Sequence, residues 1–346
     1  MNANTETLTL LADIGGTYAR FARVARVVRV VRTVRVVPND ASQPASEFVD
    51  MKRYETANTT FQDAVIDFVA GVTGSQTRSV RIDVRVAVAA PVMPAQQNGD
   101  TPVQLTNNDW IISRAVLAET FSDVRLNVLN DFAAVAMALP HLAPNELTRF
   151  TQGETSAVAL PKLAIGSGTG LGVASIVPVG NVWQVLPGEG GHVTLGAANE
   201  REHAIIAYVR TRFPHVSAER LLSGTGLPLL HEAVCHVDTT RSNALSAPEI
   251  TTAAQTNEPA ALATLQTFAS MLGSVAGNAA LTVGALGGVY LAGGLIQRWQ
   301  SLFPVDVFMK AFTAKGRFQS YLERVPVYRI DAAEPGLIGL ARGLVI

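Results

Sequence analysis

Residues 8–24 read LTLLADIGGTYARFARV, and residues 163–177 read LAIGSGTGLGVASIV. In the first stretch an apolar run from Leu8 to Ala12 ends at Asp13-Ile14-Gly15-Gly16-Thr17, a strand followed by a turn. In the second, Leu163 to Gly166 is a strand, Gly168-Thr169-Gly170-Leu171-Gly172 a turn, and Val173 to Val177 the returning strand. A dinucleotide fingerprint runs G-x-G-x-x-G into a helix. Here the pattern differs and the segment that follows reads as strand, so that fingerprint is excluded. Polyphosphates are bound by backbone N–H groups that approach closely, which glycine permits. Either turn alone reads equally well as an ordinary hairpin, because Gly/Thr turns are common. Two turns of one design, far apart in the chain, point to two lobes built on one plan and gripping a triphosphate from both sides. Asp13, at the end of its strand, is placed to hold Mg²⁺ through water, since that ion keeps much of its hydration shell.

Composition agrees with this reading. A chain of 346 residues exceeds what one compact core usually serves. With 48% apolar and 16% charged residues it can bury a large core, and disorder is excluded. A net charge of -1 supplies no global field toward nucleic acid or an acidic membrane. One cysteine permits no intrachain disulfide, which suits a reducing cytoplasm. The N-terminus has no basic region and Asp13 cuts its apolar run short, so a signal peptide is not expected. No charged residue lies between Glu258 and Arg298, a length that invites a membrane reading. Asn278 and seven glycines from Gly273 to Gly294 interrupt it. It reads as a buried helix, Pro259 to Val283, followed by a buried strand, Val289 to Ala292.

Arginine recurs at every third position from Arg20 to Arg35 among valines. Period 3 fits neither strand nor helix, but valine favours strand. A β-hairpin from Arg20 to Val37 with exposed arginines is expected, rather than a basic patch for nucleic acid or lipid, and a loop from Pro38 to Glu47. Phe61 to Val72 reads as an amphipathic helix capped near Thr59 or Thr60, Val84 to Ala90 as a buried strand, and Ile112 to Phe121 as a helix. Arg125 to Leu129 is another strand, and Asn130 and Asp131 stand at its carboxyl end before a helical run to Leu139. Ligands of open α/β sheets bind at that end of the strands. Asp131 is therefore either a catalytic carboxylate or a helix cap.

Gly188-Glu189-Gly190-Gly191-His192 puts a carboxylate and an imidazole on a flexible turn, and Glu219 opens a helix. Carboxylates accept paired hydrogen bonds from vicinal hydroxyls, as a sugar requires. An ordinary surface turn and a helix-start charge are the competing readings. His231-Glu232-Ala233-Val234-Cys235-His236 imitates a zinc helix, but Cys235 holds the position where the second histidine belongs, so no metal site is expected there.

The ordered series ADIGGT (12–17), LTNNDW (105–110), NDFAAVAMALP (130–140), GSGTGLGVA (166–174), LPGEGGH (186–192), SAERLLSGTGL (217–227) and GGVYLAGG (287–294) resembles the bacterial glucokinase family of the actin/hexokinase/Hsp70 superfamily, over nearly the whole chain. The resemblance implies a two-lobed actin-like ATPase (ribonuclease H-like) α/β fold with a cleft between lobes. It implies a small domain of residues 1–141 plus 332–346 and a large domain of residues 142–331. It implies ATP-dependent phosphorylation of glucose at C6, with ATP and Mg²⁺ as cofactors, no nucleic-acid or membrane partner, a cytoplasmic location and a homodimer. By the same resemblance Asp131 is the general base. Asn107, Asn130, Glu189, His192 and Glu219 bind the sugar. Ala12, Asp13, Ile14, Gly15, Gly16 and Thr17 face Gly168, Thr169 and Gly170 across the phosphates, and Gly293 and Gly294 pack against adenosine. Tyr18 departs from the asparagine common in that family, and the Arg/Val repeat is no family feature. The rival readings are a non-catalytic sugar-responsive regulator, a kinase for another hexose, and an ATPase acting on protein. The regulator would need a DNA-binding module, and none precedes Leu8. The protein-directed ATPase has no use for Glu189, His192 and Glu219 together.

Overall fold

The computed structural model of the chain describes residues 7–24, 48–74, 80–105, 108–151, 156, 158–240 and 243–342. By its contacts the chain divides into two units. One is Met1–Ala143 with Val179–Trp183 and Ala333–Ile346; the other is Pro144–Pro178 with Gln184–Ala332.

The first unit holds strands β1 (Thr7–Ile14), β2 (Tyr18–Val24), β3 (Phe48–Glu55), β4 (Arg81–Val88) and β7 (Asp123–Asn130), plus a small hairpin of β5 (Val103–Gln104) and β6 (Ile111–Ile112). The main sheet runs β3-β2-β1-β4-β7. β1 is antiparallel to β2 and parallel to β4, and β4 is parallel to β7. Ile14 pairs with Val88 and Val88 with Asn130, so three carboxyl ends finish in one row. Successive β1 side chains serve opposite faces. Leu10, Ala12 and Ile14 pack with Phe61, Phe68 and Trp110, while Leu11 packs with Ala87, Ala134, Leu337 and Leu340. A sheet covered on both faces yields the unbroken apolar run of residues 8–12.

Two helices cover the second face, Asp131–Ala138 and Pro335–Arg342. A Cβ at Gly339 would stand 1.8 Å from the Ala134 carbonyl, so only glycine lets these backbones meet. The Phe61–Thr73 helix begins as expected, the Thr60 side chain accepting from Asp63 N–H, and ends at Gly74 in the left-handed region.

The second unit holds β8 (Leu147–Arg149), β9 (Lys162–Ser167), β10 (Leu171–Val179), β11 (Val182–Gly188), β12 (Val289–Ala292) and β13 (Val327–Ile330), in the order β11-β10-β9-β12-β13-β8. β9 is antiparallel to β10 and parallel to β12, which is parallel to β13. The order and directions of β2-β1-β4-β7 thus recur in β10-β9-β12-β13, the internal repeat expected from the two Gly/Thr turns. The Pro259–Val283 helix is long and apolar enough to cross a membrane by composition, but 67% of its apolar window is buried inside the protein. Its glycines are packing devices: Cβ atoms at Gly273 and Gly277 would strike the carbonyls of Phe308 and Phe312 at 2.3 and 2.5 Å.

Two expectations need adjustment, and a third falls mostly outside the described residues. The Ile112–Phe121 helix shrinks to Arg114–Ala118, because Ile112 is drawn into the β5–β6 hairpin and the N–H groups of Glu119 and Thr120 bond three residues back instead of four. The strand expected from Val84 to Ala90 is Arg81–Val88. Its polar start is compatible with pairing because Arg85 bonds Asp83 and the carbonyls of Leu340 and Ala341. Of the Arg/Val stretch, β2 to Val24 is strand; residues 25–47, with the rest of the expected hairpin and its loop, lie outside the described residues.

Candidate active site

In the first unit, β1 and β2 are joined by Gly15-Gly16-Thr17, and Gly15 N–H donates to the Tyr18 carbonyl at 3.0 Å. Ala12 and Ile14 are core side chains, 0% and 1% exposed, so only their backbones are available to a ligand. The turn is held by its carbonyls. Asn108 Nδ2 lies 3.2 Å from Gly15 O and 3.4 Å from Gly16 O; Thr56 Oγ1 donates to Gly16 O at 2.8 Å; Thr56 N–H donates to Thr17 O at 3.1 Å. Trp110 fastens the clamp, its indole N–H reaching the carbonyls of Thr56 and Thr59 at 3.0 and 2.7 Å.

Asp13 lies 3.6 Å from Arg20, whose Nε is 3.4 Å from Glu334. Burial pushes the Asp13 carboxyl up and Arg20 opposes that; Glu334 is likewise raised by burial, with Arg20 lowering it and Asp13 raising it. One guanidinium thus serves two carboxylates. Asp13 is a single carboxylate with a quarter of its side chain exposed, which fits a hydrated Mg²⁺ delivered with phosphates rather than a protein cage. Among the described residues no group of three or more His, Cys, Asp or Glu is arranged to hold a metal.

Asn130 ends β7 and Asp131 follows it, one strand removed from β1 across β4, so about 10 Å separates the two strand ends at ordinary strand spacing. The helix cap is Asn130: its Oδ1 accepts from the N–H groups of Phe132 and Ala133, and its Nδ2 donates to Ala90 O at 3.2 Å. Asp131 occupies the first helical position, its Oδ1 2.8 Å from Phe132 N. Asn107 lies outside the described residues.

In the second unit, Gly168 N–H donates to Gly170 O at 2.9 Å, closing the turn between β9 and β10. This turn too is held by its carbonyls, Gly224 N–H reaching Gly168 O at 2.8 Å and Thr225 Oγ1 reaching Thr169 O at 3.0 Å. Gly293, with φ of 95°, brings the end of β12 against Ser167 O, which a Cβ would meet at 2.3 Å. Gly293 and Gly294 thereby set the start of the Gly294–Trp299 helix beside β9.

Glu219, His192 and Glu189 come together. His192 Nε2 is 3.8 Å from Glu219 and 4.0 Å from Glu189. Bridges from Val173 to Glu189 and from Thr194 to Ser217 fasten both segments to the sheet and to each other. Glu219 Oε2 accepts from Leu171 N–H at 2.8 Å, so the cluster is tied to the Gly/Thr turn. A Cβ at Gly170 would come within 2.3 Å of that oxygen, and one at Gly191 within 2.0 Å of Leu171 O. The glycines of the 188–192 turn therefore serve close packing rather than the flexibility expected of them. His192, Ser217, Glu219 and Thr225 line one side of a cavity of about 1120 Å³ that continues past Tyr208 and His236.

The zinc-like helix is structural. His231 is buried, its Nδ1 2.9 Å from Thr264 Oγ1, while His236 is exposed and stacks on Tyr208. The residues that sequence reasoning missed are Thr56, Asn108, Thr225 and Glu334. They act on backbone carbonyls or on a distant arginine, which leaves no spacing pattern. The repeated T-G after Ser223 was the one available hint.

A sheet plan repeated in two units, each with a Gly/Thr turn at the same strand junction, and a carboxylate–imidazole cluster on one of those turns define an actin-like ATPase fold of the sugar-kinase class. The model of the Glucokinase family matches residues 10–345. A glucokinase from Nitrobacter hamburgensis is 38% identical, covering 99% of this chain and 98% of the relative. One from Chromobacterium violaceum is 40% identical over 97% of this chain and 88% of its own length. A crystal structure of glucokinase from an Antarctic psychrotroph superimposes with a TM-score of 0.80 at 33% identity, covering 97% of this chain and 98% of that one. The chain belongs to the glucokinase family. It is an enzyme, a phosphotransferase of the kinase class.

Proposed function

We propose that this chain transfers the γ-phosphoryl group of ATP to the C6 hydroxyl of D-glucose, giving glucose 6-phosphate. The observation that carries the reading is Glu219: it stands 3.8 Å from His192, and its other oxygen takes the N–H of Leu171 on the second Gly/Thr turn. A group suited to sugar hydroxyls is thus built onto a turn suited to phosphate. The glucokinase relatives support the same substrate pair.

In this reading Asp131 accepts the proton of the attacking hydroxyl. Asn107, Asn130, Glu189, His192 and Glu219 hold the sugar. The backbone of Ala12 to Thr17 and of Gly168 to Gly170 holds the phosphates, and Gly293 and Gly294 approach the adenosine. Asn130 contributes partly by orienting Asp131, since its own amide caps the helix that Asp131 opens. Asp13 would hold a hydrated Mg²⁺ through water, and the ion would supply charge neutralisation to the nucleotide phosphates. Phosphoryl transfer requires positioning and charge stabilisation more than covalent help from the protein, and these turns and carboxylates supply both. The small domain, expected at residues 1–141 plus 332–346, and the large domain, expected at residues 142–331, correspond to the two contact units to within two residues at those boundaries, apart from Val179–Trp183, which group with the first unit; the protein works as a cytoplasmic homodimer. The test is a coupled assay with ATP, Mg²⁺ and a panel of hexoses. Glucose turnover at least tenfold above mannose or glucosamine supports the assignment; preference for another hexose, or none at all, removes it.

A further inference from the structure

Each Gly/Thr turn is held from behind by its carbonyl oxygens. In a trans peptide the C=O and the N–H point in opposite directions. Gly15 C=O and Gly16 N–H belong to one peptide, as do Gly16 C=O and Thr17 N–H. Asn108 and Thr56 therefore fix two N–H groups on the far side of the turn by gripping Gly15 O and Gly16 O. In the second unit, Gly224 N–H and Thr225 Oγ1 grip Gly168 O and Thr169 O, which orients the N–H groups of Thr169 and Gly170 in the same way. Neither clamp is needed to close its hairpin: Gly15 N–H to Tyr18 O and Gly168 N–H to Gly170 O already do so. As a merely structural pin the Thr225 hydroxyl contributes little, since the side chain is exposed, water competes for its bonds, and its other neighbour is Ser223 Oγ at 3.1 Å.

We infer that Thr56, Asn108 and Thr225 are positioning residues for nucleotide phosphate: they preorganise backbone N–H groups as anion-binding turns, one in each unit. The inference rests on the proposed use of both turns as phosphate loops. Its energetic content is preorganisation. Without the clamps the turns stay closed but these peptides lose a restraint, and the phosphates must supply it at the moment of binding.

The test uses the full chain and β,γ-imido-ATP with Mg²⁺, titrated calorimetrically without sugar. Thr225→Val and Thr56→Val keep shape but remove the donor; Thr225→Ser and Thr56→Ser keep it. Asn108→Leu removes the third. Each Val or Leu variant is expected to weaken analogue binding about five- to twentyfold, the scale of one or two hydrogen bonds to a charged group. Each Ser variant should stay within about twofold of the parent, and glucose KM should move less than about twofold throughout. Equal binding by the Val and Ser variants overturns the inference, as does a parallel rise in glucose KM or failure of the parent chain to bind the analogue. Thr225 is exposed, so its variants fold even if those at Thr56 do not, and a melt checks each. Should the parent bind the analogue but not phosphorylate glucose, the proposed substrate falls while the binding series still decides the clamps.

Discussion

Asp131 and Glu219 are both carboxylates at the start of a helix, but they are held differently. Asp131 follows a cap that leaves it at the first helical position, at the carboxyl end of β7. Glu219 is fixed by Leu171 N–H with His192 beside it. A base acts on a proton that moves only in the transition state, whereas a sugar ligand binds ground and transition states alike. Asp131→Asn should cut kcat by about 10² or more while moving glucose KM far less. Glu219→Gln should raise glucose KM roughly tenfold with a smaller loss of kcat. Steady-state kinetics on folded variants decide between these roles; a near-normal kcat for Asp131→Asn would reduce Asp131 to a helix-start charge. Gly170→Ala gives a separate handle on Glu219. The new methyl would stand 2.3 Å from Glu219 Oε2 and displace it from Leu171 N–H. Glucose KM should rise by about tenfold, as in Glu219→Gln, and combining the two substitutions should add little further, because both remove one interaction. Additive losses would show that Gly170 acts elsewhere.

At the scale of elements, the helix that carries Asp131 is positioned by a neighbour at the other end of the sequence. Gly339 of the Pro335–Arg342 helix lets that helix touch the backbone at Ala134, where a Cβ would be 1.8 Å from the carbonyl oxygen. Gly339→Ala must push the helices apart, and overpacking of this kind costs about 1–3 kcal/mol. Urea denaturation should show that loss, and kcat should fall with it, since the displaced helix carries the base; an alanine variant as stable as the parent would mean the helices slide without cost. This contact also shows what sequence reading can reach. The Pro259–Val283 helix and the Val289–Ala292 strand were legible to the residue, because apolar run length and flanking glycines are local signals. The repeated sheet plan was legible from two turns of one design. Asn108 and Thr225 were not, because a donor aimed at a main-chain carbonyl has no periodicity and its partner can be any residue. The cap was misread: the sequence offered Asp131 as the possible cap, and the fold gives that role to Asn130, because the helix begins one residue earlier, with Asp131 at its first position.

At the scale of the whole molecule, each unit holds a histidine whose protonation the native fold resists, half-buried His141 and buried His231. His141, in the first unit, is pushed down from 6.5 to about 4, by burial first and by the Arg342 charge second. His231, in the second unit, is lowered by burial, with Glu258 opposing, and its ring meets Thr264 and Cys235. In the unfolded chain both take a proton near their ordinary pKa, whereas the folded chain resists until lower pH. The unfolded state therefore binds more protons over that interval, and stability rises with pH across it. The contribution is fully present above about pH 6.5 and is lost as pH falls toward about 4, with at most about 3 kcal/mol from His141 because some solvent contact remains. Urea midpoints measured between pH 4 and 8 should be level above about 7 and fall on the acid side. His141→Gln removes one proton-linked group without adding charge, so its acid limb should be shallower than the parent's, and the difference should grow as pH drops from 6.5. The Asp13 and Glu334 carboxyls, which burial raises, are common to parent and variant, so between about pH 5 and 6.5 the difference between the two curves isolates His141. Parallel parent and variant curves across that interval would show that His141 titrates alike in folded and unfolded chains.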